Sequence, residues 1–363
     1  MRAPSRTATI AAASFALALT LAGCGSADDG GDGLSGPLPG AGASSQEIAM
    51  TAWLAGMHDL HPHVLVSYDP VGSGSGREMF LNGATAFAGS DAPMSSEELA
   101  RGRERCNGGE VVELPLYISP IAVAYNLPGL GAEHLDLEPK TLAAIFNGDI
   151  TRWDDPAIAA TNPDVELPDA DIIPVNRSDD SGTTENFTEY LAAAAGDAWP
   201  HEPSETWPIS GTQSGAQTSG VVTTMEAAEG TIGYLDAAQV PDSFGTVAVG
   251  VGQEFVPFSP EAAAAVVDAS PPAEGATDLR LTIDLARDTT EAGTYPIVLI
   301  SYTMACSVYE SEQDAENVRA LLSYIASEEG QERVADPRVA GSAPISDALR
   351  TRVTAAIDQI RAA

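Results

Sequence analysis

The sequence predicts an α/β protein, because segments with strand character alternate with segments of helical periodicity along the chain. Three hydroxyl-rich turns stand directly before helical segments, and two long extended or apolar stretches look able to run from one lobe into another. A chain of 363 residues is long enough for two domains. No period of 20 to 50 residues repeats.

At the N-terminus, Arg2 and Arg6 precede an apolar stretch from Ala8 to Leu21 that runs into Ala22, Gly23 and Cys24. The pattern is that of a lipoprotein signal peptide over residues 1–23, with Cys24 as the acylated first residue of the mature protein. The stretch is short for a membrane span, and the Gly-, Ser- and Asp-rich residues 24–37 read as a flexible tether. The mature protein is therefore expected outside the cytoplasm, anchored to the cell membrane through lipid.

Removing residues 1–23 takes away Arg2 and Arg6 but no acid, which leaves 15 basic against 52 acidic residues and moves the formal charge from −35 to −37. Such a surface excludes nucleic acid as a partner. Lys140 is the only lysine, so recognition of an anion falls to arginine, whose planar fork suits oxyanions. With Cys24 used for lipid, Cys106 and Cys306 remain as an even pair in an oxidising compartment, and a disulfide is expected rather than two buried thiols. It would close a loop of about 200 residues, worth on the order of 5 kcal/mol by loop entropy.

Strands are expected at Val64–Tyr68, Thr85–Gly89, Val111–Tyr125, Ile172–Asn176, Thr231–Tyr234 and Tyr295–Met304. Ile48, Trp53, Leu54, Met57 and Leu60 share one helical face, as do Phe187, Tyr190 and Leu191. Val111–Tyr125 and Tyr295–Met304 are the two candidate crossings between lobes. Glu166–Asp171 and Ser259–Thr277 read as surface connections.

The three turns are Gly40-Ala-Gly-Ala-Ser-Ser45, Gly72-Ser-Gly-Ser-Gly76 and Asp180-Ser-Gly-Thr-Thr184. A helix start offers unpaired N–H groups and partial positive charge, and glycine lets that backbone approach an anion. A lone serine there is ordinarily a cap, so the argument rests on three occurrences. None has the Gly-Lys-Ser/Thr of a P-loop, the dinucleotide fingerprint or a nucleophile elbow. Arg177 lies four residues before Ser181, and Asp179 stands where it could orient the guanidinium or simply form a turn. Asp91 is odd beside an anion unless that anion carries a proton for it to accept. Phosphate near neutral pH keeps a proton and sulfate has none, so one buried acceptor separates the two.

These residues resemble the PstS family of phosphate receptors, within the periplasmic binding proteins, over nearly all of the mature chain. The likeness is carried in order by GAGASS (40–45), GSGSG (72–76), FAGSDAPMS (87–95), NLPGL (126–130), TLAAIFNGDITRWDDPAIAATNP (141–163), NRSDDSGTTENF (176–187) and GTIGYLD (230–236). The resemblance implies a two-lobed periplasmic-binding-protein fold, two α/β domains joined by a two-stranded hinge, with dehydrated phosphate in the cleft. The first lobe is expected at 38–117 plus 293–350, the second at 118–292, and a C-terminal helix end at 351–363. It further implies phosphate ligands at Ser44, the backbone of Ser45, Ser73 and Asp91 from the first lobe, and at Arg177, Ser181, Gly182 and Thr183 from the second. Asp179 matches the aspartate that pairs with the binding arginine. The chain departs from the family where a Thr-Phe pair is common at Ser44-Ser45 and a glycine at Asp180.

The implied protein is a monomeric receptor that delivers inorganic phosphate to the membrane permease subunits of an ABC importer, with no cofactor, metal or catalysis. A secreted phosphatase would also cradle phosphate, but no clustered Asp/His metal set is evident, and His58, His61 and His63 read as ordinary surface or core residues. A receptor for sulfate or molybdate is disfavoured by Asp91. Trp53, Trp153, Trp199 and Trp207 are expected to pack rather than to bind ligand.

Overall fold

The structure is a computed structural model and describes residues 33–363. The expected signal peptide 1–23, the expected lipid site Cys24 and the part of the expected tether up to residue 32 lie outside the described residues. The chain begins with β1 (Gly36–Gly42), α1 (Glu47–Leu60), β2 (Val64–Asp69), α2 (Ser73–Leu81), β3 (Phe87–Ser90) and α3 (Ser96–Arg105). It continues through β4 (Val111–Asn126), β5 (His134–Leu137), α4 (Pro139–Asn147), α5 (Pro156–Thr161), β6 (Ile173–Arg177), α6 (Gly182–Ala195), β7 (Gln213–Gly215), α7 (Gln217–Glu226) and β8 (Thr231–Asp236). Then come β9 (Gly245–Val251), β10 (Glu254–Val256), α8 (Pro260–Ala269), β11 (Val298–Cys306), β12 (Val308–Tyr309), α9 (Glu312–Ala326), α10 (Glu328–Ala335), α11 (Asp347–Ile357) and β13 (Arg361–Ala362).

Strand order explains the two lobes. β1 lies between β2 and β3, all parallel, as consecutive strand-helix-strand units require. β4 is the bridge: its 16 residues are all buried, with Val111–Pro120 antiparallel to β11 and Ile121–Asn126 antiparallel to β8. One continuous strand therefore serves both lobes. β11 is reached from the second lobe, since Tyr295 N–H donates to Ala262 O just before Val298 pairs with Pro120. The path β2-β1-β3-β11-β4-β8-β6-β7 runs through both lobes.

Serine starts many of these helices. Ser95, Ser181, Ser259, Ser311, Ser327 and Ser346 each accept a hydrogen bond from the N–H three residues on, satisfying one orphan donor. Trp53 and Tyr117 meet edge to face in the first lobe, while Phe146, Phe187, Trp207 and Tyr234 form a ring cluster in the second. All four tryptophans are buried. Cys106, at the end of α3, and Cys306, ending β11, form the expected disulfide, with Cα atoms 5.1 Å apart.

Several expectations need correction. Gly36 and Pro37, assigned to the tether, already belong to β1 and pair with Val64 and Leu65 of β2, because main-chain pairing to a neighbouring strand needs no apolar side chain. Ser259–Thr277 is not merely a connection: α8 buries Ala262, Ala263, Val266 and Val267. Leu60 is 51% exposed, since the helix face expected to hide it ends one turn earlier at Met57. The C-terminal helix end expected at 351–363 is helical as far as Ile357, where α11 stops, and Arg361–Ala362 then form β13, parallel to β12. Within the span expected of the second lobe, Leu279 O and Leu281 N–H hydrogen-bond Glu113 of β4, so this tract returns to the first lobe.

Candidate functional site

Parallel pairing brings three loops of the first lobe together. Gly42 and Gly89 are register partners, so the residues after β1 and β3 leave the sheet side by side at its carboxyl edge. Gly42 has φ 153° and its absent Cβ would stand 2.0 Å from Gly89 O. Any side chain there would push the strands apart. Gly72, at φ 98°, donates to Gly42 O and delivers Ser73 as the first residue of α2.

Asp91 lies in the middle of this arrangement and is 3% exposed. Ser45 Oγ donates to both its carboxylate oxygens at 2.8 and 2.9 Å, and its own N–H donates to Ser73 Oγ at 3.1 Å. Burial pushes its pKa up, against the hydroxyls of Ser45 and Thr183 and the Arg177 charge. A carboxylate held this way is a good acceptor for a proton-bearing ligand.

The second lobe supplies its groups from one contiguous segment. Arg177, the last residue of β6, is 3% exposed and donates Nε and Nη2 to Asp179 Oδ1 and Oδ2 at 2.8 and 2.5 Å. Gln217 N–H also donates to Asp179. Burial would lift Asp179, but Arg177 outweighs it and holds the carboxyl below its usual range. Nη1 is left as the guanidinium nitrogen that Asp179 does not engage. Ser181 Oγ caps α6 by accepting from Thr184 N–H, and Gly182 and Thr183 form the first helical turn, a favourable end for an anion.

The lobes touch through these same loops. Thr183 Oγ1 donates to Asp91 Oδ2 at 3.0 Å, and Asn186 Nδ2 to Asp91 O at 2.8 Å. A Cβ on Gly182 would lie 2.7 Å from both Asp91 Cβ and Ser73 Oγ. Ser44 Oγ accepts from Thr218 N–H and bonds Thr218 Oγ1, while Gln239 Nε2 donates to the carbonyls of Ser44 and Ser45. The cleft is closed over Asp91 and Arg177.

The structure thus brings Ser44, Ser45, Ser73, Asp91, Arg177, Asp179, Ser181, Gly182 and Thr183 into one network. Asn186, Thr218, Gln239, Arg77 and Glu205 were not anticipated. Thr218 did carry a signal, a hydroxyl in the first turn of a helix, and Arg77 directly follows GSGSG; Gln239 carried none. Asp180, the departure from glycine, is exposed and accepts from Thr206 Oγ1, which keeps its charge occupied.

At the hinge, Asp236 of β8 accepts from Tyr117 Oη and from Ala238 N–H, and burial pushes it up to about 7. A cavity of about 730 Å³ touches only Asp91 among the expected ligands; its charged lining is Glu185, Glu189, Asp284 and Asp288 beside the single cation Arg287, a balance that disfavours an anion. His58 and His63 are exposed, and no group of three or more His, Cys, Asp or Glu residues that could hold a metal occurs among the described residues. No described helix is long and apolar enough to cross a membrane.

A PBP superfamily domain model matches residues 27–329. The phosphate-binding protein PstS3 of Mycobacterium bovis (strain BCG / Pasteur 1173P2) is 33% identical over 361 residues, covering 94% of this chain and 95% of the relative. PstS 2 of Mycobacterium tuberculosis (strain ATCC 25618 / H37Rv) is 33% identical over 380 residues, covering 99% of each. Among solved structures, the phosphate-binding protein from Stenotrophomonas maltophilia superimposes with a TM-score of 0.67 at 21% identity, covering 88% of this chain and 94% of that one; this likeness speaks to the fold.

Proposed function

We infer the function from a premise that these matches establish: the chain belongs to the PstS family of phosphate-binding proteins within the PBP superfamily. It is a receptor that binds inorganic phosphate for an ABC importer. The observation that carries this reading is the closed cleft in which Arg177 from one lobe and Asp91 from the other are both buried among hydroxyls and helix N-termini.

Phosphate is held by Ser44, the Ser45 N–H, Ser73 and Asp91 on one side and by Arg177, Ser181, the Gly182 N–H and Thr183 on the other. Arg177 supplies charge-assisted donors, and Asp179 keeps its fork in plane. Asp91 accepts the proton of the bound anion and so disfavours sulfate, which would face the carboxylate with no hydrogen to share. The hydroxyls of Ser45 and Thr183 donate to Asp91 and keep its carboxylate oriented in the cleft. Binding and release are the whole of the cycle, with no chemical step.

Residues 1–23 are removed and Cys24 carries the lipid that tethers the monomer outside the cytoplasmic membrane. Acyl labelling of the wild type and its loss in Cys24→Ser test the anchor. Calorimetry of ligand-stripped protein tests the function: phosphate is expected to bind tightly, and sulfate weakly or not at all. Equal affinity for both anions would overturn the role of Asp91, and turnover of a phosphate ester would overturn the receptor reading.

A further inference from the structure

At the mouth of the cleft, Arg77 of α2 reaches three partners at once. Its Nη1 and Nη2 donate to Glu205 Oε1 and Oε2 at 2.8 and 2.7 Å, its Nε donates to Glu98 Oε1 at 2.7 Å, and Nη1 also donates to Ser90 Oγ at 2.9 Å. Glu205 belongs to the second lobe; Glu98 and Ser90 belong to the first. The Arg77 side chain is 8% exposed and that of Glu205 is 18%.

Both ends of this pair reach the phosphate loops. Ser90 directly precedes Asp91, and its hydroxyl donates to Ala92 O. The Glu205 carbonyl accepts from Ser181 N–H. One guanidinium therefore ties the strand end that carries Asp91 to the loop that carries Ser181. Gly74 lets the surfaces meet, since a Cβ there would lie 2.9 Å from Asp180 Cβ.

We propose that Arg77 is a further positioning residue of the phosphate site and that its bidentate pair with Glu205 is the latch that holds the closed cleft. The proposal rests on the phosphate reading above. Opening would break the contacts to Glu205 but leave Arg77 paired with Glu98 and Ser90, so no buried charge is stranded. Glu205, at the rim, returns to water. A buried charge pair that loses one partner is costly, and retaining Glu98 is what makes this one reversible. Without the latch the mouth would set Glu78, Glu98, Asp180 and Glu205 against one another with no closing attraction.

The latch is tested by stopped-flow phosphate kinetics on stripped wild type, Glu205→Gln, Arg77→Lys and Glu98→Gln. Glu205→Gln and Arg77→Lys are expected to raise the phosphate off-rate about tenfold or more while the on-rate changes by less than about threefold. The ratio of phosphate to arsenate affinity is expected to stay constant, because the latch touches neither anion. Glu98→Gln, which removes a partner within one lobe, is expected to raise the off-rate less than Glu205→Gln. An unchanged off-rate in Glu205→Gln, or an equal effect of Glu98→Gln, overturns the latch. Solution scattering of the ligand-free proteins gives a readout independent of the anion: Glu205→Gln is expected to be more expanded than wild type, and identical profiles would also overturn the proposal. Failure of the wild type to bind phosphate would overturn the phosphate reading alone, and scattering would still decide the latch.

Discussion

The two halves of the site are built differently. The second lobe presents a single run, Arg177 to Thr183, whose cation is already neutralised by Asp179 and whose helix start is already capped by Ser181. The first lobe assembles its half from three separate strand ends, held by the glycine contacts at Gly42, Gly76 and Gly89, and puts a buried acid at their meeting point. The run from a single segment suits charge attraction, which tolerates small shifts. The assembled half suits discrimination, because hydrogen-bond matching demands that each atom be held in place.

The largest expected effect breaks the charged half. Arg177→Ala should weaken phosphate binding by about 3–5 kcal/mol, because it removes the fork and leaves Asp179 facing an anion. Calorimetry beside a thermal melt checks it; near-native affinity with an intact fold would remove Arg177 from the site. Next, Gly182→Ala places a methyl against Asp91 and Ser73 across the cleft, so closure should be opposed by about 1–3 kcal/mol while each lobe keeps its own packing. A faster phosphate off-rate at an unchanged melting temperature is the expected pattern, and an unaffected off-rate would mean that the ligand-bound cleft stands wider than this one.

Asp91→Asn sharpens the comparison from the discriminating side. An amide can present either donor or acceptor, so phosphate should lose affinity while sulfate is excluded less strongly, narrowing their difference by about 1–3 kcal/mol. Paired titrations at one pH and ionic strength measure it; a constant ratio would mean that Asp91 does not read the proton. The smallest effect concerns the whole surface. With a formal charge of −35 over the full sequence and an acidic mouth, added inert salt should raise the phosphate on-rate modestly, roughly twofold. A steep fall would expose a focused positive route to Arg177.

How far each half was legible follows from its construction. Arg177, Asp179 and Ser181 to Thr183 are neighbours in sequence, so a strand end, a basic residue and a hydroxyl-rich helix start could be read directly. The alternation of strands and helices, the long crossing at Val111–Tyr125, the cysteine pair and the excess of acid were legible for the same reason: each is a local pattern or a count. β1 was not read from Gly36, because a Gly- and Pro-rich stretch becomes a strand only through pairing with β2 along its length and β3 at its end. Thr218 and Gln239 meet Ser44 across about 170 to 200 residues of sequence, and Glu205 meets Arg77 across 128, contacts that no local pattern encodes. Sequence alone determined which residues could attract an oxyanion, since that is a matter of side-chain chemistry and spacing along one segment. Tertiary structure alone decided which groups face one another across the cleft, because closure brings distant segments within hydrogen-bond range and hydrogen bonds act only at contact.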